Sequence, residues 1–186
     1  MLSKQIETNF IVFTGGPFSG KTSILELIEK QGYIVSYEVA RIFIENQIAL
    51  GLTKEEIRKD EGKFQDELIE TKLKVEAGLP KDRLVFLDRA MPDSITYYKV
   101  AKLNPKKIID QCQVYRYKKV FIFDLLPQEL FLQNIEQDLC RRENIELRSF
   151  IDLELEKDYI SLGYQPIRVP VMDIPKRLTF IIESLD

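Results

Sequence analysis

Gly15-Gly16-Pro17-Phe18-Ser19-Gly20-Lys21-Thr22 matches the phosphate-binding pattern G-x-x-x-x-G-K-[ST] at every specified position. Before it, Phe10-Ile11-Val12-Phe13-Thr14 is an apolar, β-branched run that reads as a buried strand. After it, residues 23–30 carry apolar side chains at helical spacing. Strand, glycine loop and helix is the context in which the pattern binds phosphate. Glycines let the backbone wrap a phosphate chain with its N–H groups turned inward, and the helix N-terminus adds unsatisfied donors. The segment Gly15 to Ser23 is therefore the expected nucleotide-binding stretch, with Gly16, Pro17, Phe18, Ser19 and Gly20 forming the loop itself. Lys21 is expected to reach the terminal phosphates, and the Thr22 hydroxyl to take one position on Mg²⁺. ATP and Mg²⁺ are the cofactors this implies.

Four more apolar runs read as strands: 33–36, 84–87, 120–123 and 166–169. Helical patterns separate them. One runs from Tyr37 to Leu50, and a capping box at Thr53-Lys54-Glu55-Glu56 opens a long charged helix to Ala77. Others start at Pro92 and Pro105, fill 127–162 with a charged interruption, and close the chain from Ile174 to Leu185. Strands alternating with helices, each strand almost continuously hydrophobic, predict a parallel sheet covered on both faces. The fold class is thus α/β, a three-layer α/β/α sandwich, in a single domain over 1–186.

Composition narrows the chemistry. The 186 residues contain no histidine, which removes Ser-His-Asp and Cys-His catalysis and imidazole-built zinc sites. A net charge of −3 gives no sign of a nucleic-acid partner. The one basic run interleaved with aromatics, Tyr115-Arg116-Tyr117-Lys118-Lys119, reads as a solvated loop. Cys112 and Cys140 lack metal-ligand spacing, and no apolar run approaches spanning length, so a cytoplasmic protein without a membrane partner is expected.

Parallel sheets bind ligands beyond the carboxyl ends of their strands. The third predicted strand ends Leu87-Asp88-Arg89. Asp88 is expected beside Mg²⁺, and an Asp-Arg pair there resembles the nucleoside and nucleotide kinases, whose arginine meets the acceptor or the transferred phosphate. The second strand is followed by Glu38 and, one helical turn on, Arg41. A carboxylate there can accept the acceptor hydroxyl's proton. Asp138, Arg141, Arg142 and Glu143 interrupt a helical pattern where such kinases carry an arginine-bearing lid, here about 134–146. Arg58, Lys63 and Gln65 lie on the long helix that would border an acceptor site, but read first as a solvated face; Asp93 can orient Arg89 or cap the helix starting at Pro92, the cap being preferred, and Asp124 reads as a local backbone acceptor.

The ordered set formed by residues 13–22, Glu38-Val39-Ala40-Arg41 and Phe86-Leu87-Asp88-Arg89-Ala90-Met91-Pro92-Asp93-Ser94 resembles the NadR/Ttd-type AAA-domain family of P-loop proteins. That group includes the nicotinamide riboside kinase domain of NadR regulators, and the similarity spans nearly the whole chain. It implies a five-stranded sheet in the order 2-3-1-4-5. It also implies an ATP-dependent phosphotransferase acting on a hydroxyl of a nucleoside-like or other small metabolite. A nucleotide-dependent switch ATPase working through a protein partner is the alternative. A GTPase or an ABC-type ATPase is disfavoured, since neither Asn-Lys-x-Asp nor Leu-Ser-Gly-Gly occurs.

Overall fold

A computed structural model describes residues 5–135 and 144–185. In chain order the strands are β1 (Ile6–Glu7), β2 (Phe10–Thr14), β3 (Ile34–Ser36), β4 (Val85–Asp88), β5 (Tyr115–Arg116), β6 (Lys119–Phe123) and β7 (Ile167–Val169). The helices are α1 (Lys21–Lys30), α2 (Val39–Ala49), α3 (Lys54–Ile57), α4 (Glu61–Gly78), α5 (Asp93–Val100), α6 (Ile109–Cys112), α7 (Gln128–Ile135), α8 (Ile145–Ser161) and α9 (Ile174–Glu183). A 3₁₀ turn over Pro105–Ile108 leads into α6.

Five strands form one parallel sheet in the order β3-β4-β2-β6-β7. Counted along the chain, those strands stand in the expected order 2-3-1-4-5. The near-continuous hydrophobicity of the strands follows from a two-sided core. Successive side chains of a strand point to opposite faces. On one face, Phe10 and Val12 join Val85, Leu87, Val120 and Ile122 beneath Tyr159 of α8. On the other, Ile11, Phe13, Phe86, Phe121 and Phe123 pack on Ile24, Leu25 and Ile28 of α1 and Ile181 of α9. Phe13 anchors this second layer, its ring 5.0–5.8 Å from those of Phe86, Phe121 and Phe123. Among the described residues no helix is long and apolar enough to cross a membrane.

Two local expectations are corrected. The long helix from Thr53 is two helices. Thr53 and Glu56 do form the reciprocal capping box, but α3 stops at Ile57, and the Asp60 side chain caps α4 by accepting from the Lys63 N–H at 3.0 Å. A carboxylate placed to satisfy a fresh set of N–H groups restarts the helix instead of extending it. The run 115–119, read as a solvated loop, is structural. β5 pairs in parallel with β1 as a two-stranded accessory sheet, and the Tyr115 and Tyr117 rings are buried. The Arg116 guanidinium lies 4.0 Å from the Tyr164 ring centroid and donates to the carbonyls of Leu162 and Gly163.

The Tyr117 hydroxyl donates to Glu76 Oε2 at 2.7 Å, and the Met91 N–H to Oε1 at 3.1 Å. Burial pushes the Glu76 carboxyl from its ordinary 4.5 up to about 7, against these two donors and the charge of Lys72. The folded state thus keeps a proton that the unfolded chain releases near pH 4.5. That contribution is whole below the unfolded value and is lost as pH rises through about 7. Thermal melts between pH 5 and pH 8 should show a fall in midpoint that Glu76→Gln abolishes; an unchanged slope in the variant assigns the fall to other groups.

Candidate functional site

The glycine loop sits at the carboxyl end of β2, the middle strand of the sheet. Its backbone demands glycine at two points. Gly15 has φ +134°, and a Cβ there would stand 2.6 Å from the Phe123 carbonyl oxygen. Gly20, with φ +83°, is the residue from which α1 starts.

What fixes the loop's orientation was not foreseen from the sequence. Arg148 of α8 donates from Nε to the Pro17 carbonyl at 3.0 Å and from Nη2 to that of Phe18 at 3.4 Å. Arg177 of α9 donates to the Ser19 carbonyl at 2.7 Å. In a trans peptide the N–H points opposite to the C=O. The N–H groups of Phe18, Ser19 and Gly20 are therefore turned away from these two arginines, toward the cleft the loop lines. Asp152 of α8 accepts the Gly16 N–H at 3.2 Å and is held in turn by Arg168 at 2.8 Å. The Phe18 ring packs edge-on against Phe131 of α7. Charged residues inside helical patterns look solvated in a sequence; here Arg148, Asp152 and Arg177 are buried against a loop more than a hundred residues away.

A cleft of about 460 Å³ opens over the loop, lined by Phe18, Ser19, Gly20, Lys21, Thr22 and Ser23 together with Glu38, Arg41 and Asp88. Thus every described residue singled out for phosphate, metal or acceptor contact, apart from Gly15, Gly16, Pro17 and Arg89, faces one cavity. The first N–H groups of α1 point along its axis at this space, with no side-chain cap at Gly20. The buried Lys21 Nζ donates within the loop, to Ser19 Oγ at 3.2 Å and to the Gly15 and Gly16 carbonyls at 3.5 and 3.4 Å. The Thr22 hydroxyl is 3.5 Å from Asp88 Oδ2. These two oxygens belong to the residues expected around Mg²⁺. They fit that ion, which takes few protein oxygens when phosphates and water complete its octahedron. Among the described residues no group of three or more Asp, Glu and Cys side chains forms a metal cluster.

Behind the cleft lies a buried ionic network. Arg89, held at φ +67° directly after β4, donates from Nε to Glu38 Oε1 at 3.2 Å and from Nη1 to Asp93 Oδ1 at 3.1 Å. Its Nη2 is buried and has no hydrogen-bond partner among the described residues. Burial works against the Arg89 charge, but Tyr97, Glu38, Asp93 and Asp88 together hold its pKa well above the usual arginine value. Of the two roles open to Asp93, the structure has the less preferred: Pro92 precedes the helix, and the fully buried Asp93 carboxylate orients Arg89. It also accepts from Thr14 Oγ1 at 2.6 Å, the Ala90 N–H at 3.1 Å and the Tyr159 hydroxyl at 2.6 Å.

Glu38 and Arg41 also line a second, smaller cavity of about 30 Å³ walled by α2, α4 and α5. Its sides include Ile44, Phe64, Leu68 and Tyr97, with Gln65 and Lys72 among its polar atoms. Arg41 pairs with Glu45 at 3.7 Å. Two residues read as solvated belong to this cavity: Arg58 lies 4.6 Å from the Phe64 ring centroid, and Gln65 is buried and donates to Glu61 at 3.0 Å. Lys63 is exposed and faces Glu67 on the outer side of α4. Asp124 takes the Arg168 guanidinium at 3.4 Å. Arg141 and Arg142, with Asp138, Cys140 and Glu143 of the expected lid, lie outside the described residues.

In fold the chain is similar to thymidylate kinase from Ehrlichia chaffeensis, with a TM-score of 0.66 and 14% identity over 97% of this chain and 100% of that one. It is similar to deoxyadenosine kinase from M. mycoides with bound dCTP, at TM-score 0.66 and 14% identity over 95% and 98%. NadR protein in complex with NAD and AMP-PNP gives a TM-score of 0.66 and 14% identity over 96% of this chain and 48% of that one. At such identities the likeness is one of fold. No curated protein matches the sequence. A family model described as an AAA domain matches residues 10–177, from the first residue of β2 into α9. A match of that extent settles the relationship: the chain belongs to this AAA-domain family.

Proposed function

We propose that the protein is a Mg-ATP-dependent kinase that phosphorylates a hydroxyl of a nucleoside-like or other small metabolite. One observation carries the reading: Glu38 and Arg41 line both the phosphate-loop cleft and the cavity between α2, α4 and α5. A switch ATPase needs only the first space. A phosphotransferase needs a second one for the acceptor, meeting the first where the phosphoryl group crosses.

The roles follow from position. Amides of the loop and of the first turn of α1, with Lys21, hold the phosphate chain; Thr22 and Asp88 hold Mg²⁺. Bound Mg²⁺ would neutralise charge on the phosphate oxygens. Glu38 aligns the acceptor hydroxyl and takes its proton, while Arg89 fixes that carboxylate from behind through the 3.2 Å contact. Arg41 is placed to meet either substrate, and Arg141 and Arg142 would close over the phosphates. The fold neighbours support the kinase reading, being named as a thymidylate kinase and a deoxyadenosine kinase.

The test is ADP release from Mg·ATP by purified protein, with and without a pool of nucleosides, nicotinamide riboside and other hydroxylated metabolites. Acceptor-dependent release is expected, and splitting the pool identifies the acceptor. Slow release indifferent to every acceptor overturns the kinase reading in favour of the switch.

A further inference from the structure

Among the described residues, Lys72 is the one charged group lining the smaller cavity with no ion-pair partner in contact; Asp93, Glu76 and Glu38 act on its charge only from farther off. Of the other three, Glu38 has Arg89 at 3.2 Å, Arg41 has Glu45 at 3.7 Å and Arg58 has Glu61 at 3.4 Å. Lys72 lies on α4, two turns beyond Phe64 and on the same face, and is buried. Among the described residues its Nζ has no carboxylate within ion-pair distance; its acceptors are Ser94 Oγ at 3.1 Å and the Ala90 carbonyl at 3.4 Å. An ammonium carries three donors, so two neutral oxygens leave both a donor and the charge to be met. Keeping a cation buried on those terms is costly unless something else brings the counter-charge. Burial accordingly pulls the Lys72 pKa below the usual lysine value, with Asp93 the chief opposing influence.

We propose that Lys72 is a specificity residue that receives an oxyanion of the acceptor, so that the substrate carries a carboxylate or phosphate besides the hydroxyl that is phosphorylated. This rests on the kinase reading for the word acceptor, though not for the anion site itself. Size agrees. A water-sized group needs about 10–15 Å³ of such space, so a cavity of about 30 Å³ takes a small oxyanion head but not a ring. The body of the substrate therefore lies toward the larger cleft, past Glu38 and Arg41. Ser94, which already accepts from Lys72, can turn its own hydroxyl proton to the same oxyanion.

The experiment titrates inorganic phosphate into protein held in excess Mg·AMP-PNP, which occupies the phosphate loop, and follows the melting midpoint. The wild type should be stabilised. Lys72→Met should weaken apparent phosphate affinity about tenfold or more, the loss expected for one charge-assisted contact. Lys74→Met, which removes an exposed lysine from the same helix, should behave as wild type. An undiminished response in Lys72→Met, or an equal loss in both variants, overturns the proposal. Should the methionine variant fail to melt cooperatively, Lys72→Gln replaces it under the same two outcomes. ADP release with glycerate against glycerol, and with nucleoside monophosphates against nucleosides, then separates a carboxylate from a phosphate source; neutral members as good as both anionic ones also overturn it. If nothing stimulates ADP release while the phosphate response depends on Lys72, the kinase reading falls and the oxyanion site stands.

Discussion

Lys21→Met should lower Mg·ATP turnover by about 10²–10³-fold while leaving the melting midpoint within a few degrees of wild type. The asymmetry comes from what the side chain does in each setting. Among the described residues Lys21 Nζ makes long contacts, 3.2–3.5 Å, to Ser19 and to the Gly15 and Gly16 carbonyls. Contacts of that length together contribute about 1 kcal/mol or less once desolvation of the amine is set against them. Methionine fills the same volume without a charge, so the loop keeps its packing. Its shape is in any case imposed from outside by Arg148 and Arg177. Against a phosphate chain the same ammonium meets charge that grows as the phosphoryl group moves, and nothing in methionine replaces it. Single-turnover ADP formation beside a thermal melt checks both halves. A variant that turns over normally removes the phosphate-loop assignment; one that unfolds makes Lys21 structural.

How much of this was legible beforehand depended on whether the determining interaction was local. The strand–loop–helix unit is written in consecutive residues, so Gly15 to Thr22 could be placed from periodicity and turn chemistry alone. The two-sided sheet was equally open to reading, because burial on both faces makes every residue of β2 and all but the first of β6 apolar or nearly so. Asp88 and Glu38 were reachable from a topological rule, since Asp88 ends β4 and Glu38 lies two residues past the end of β3. Arg148, Asp152 and Arg177 were not. Each stands in a helix with a charged residue's ordinary look, and only the folded chain shows its partner to be the loop. Asp93 was weighted toward the wrong one of its two roles for a related reason. An acid beside Pro92 at a helix start is locally explained as a cap, and that local account concealed Thr14 and Tyr159, 79 and 66 residues away. Lys72 offered no signal, because a lysine midway along a charged helix is normally solvated.

Asp93→Asn should destabilise the protein by about 3–5 kcal/mol, although it changes no side-chain volume of note. Each carboxylate oxygen faces a group that can only donate: Oδ1 takes Arg89 Nη1 at 3.1 Å, and Oδ2 takes the Ala90 N–H at 3.1 Å. An amide has one oxygen. Whichever way it is turned, its NH₂ opposes one of those donors, so the variant loses a charge-assisted bond and gains a repulsive contact. The Thr14 and Tyr159 hydroxyls can rotate to adapt; the guanidinium and the backbone cannot. Arg89 also loses one of its two ion-pair partners in a fully desolvated place, and breaking one side of such a pair is far costlier than never having built it. In a chain of 186 residues that loss corresponds to a fall in Tm of about 6–20 °C. Tyr159→Phe, which removes a single neutral donor from the same carboxylate, should cost about 1 kcal/mol and so calibrate the network. Urea titrations with a common slope measure both. If Asp93→Asn stays within 1 kcal/mol of wild type, the network does not hold Arg89, and the rigidity ascribed to Glu38 must come from α2 itself. If instead the full loss appears, Arg89, Thr14 and α8 are joined through one carboxylate. The residue behind the acceptor carboxylate and the residue before the phosphate loop then cannot move independently.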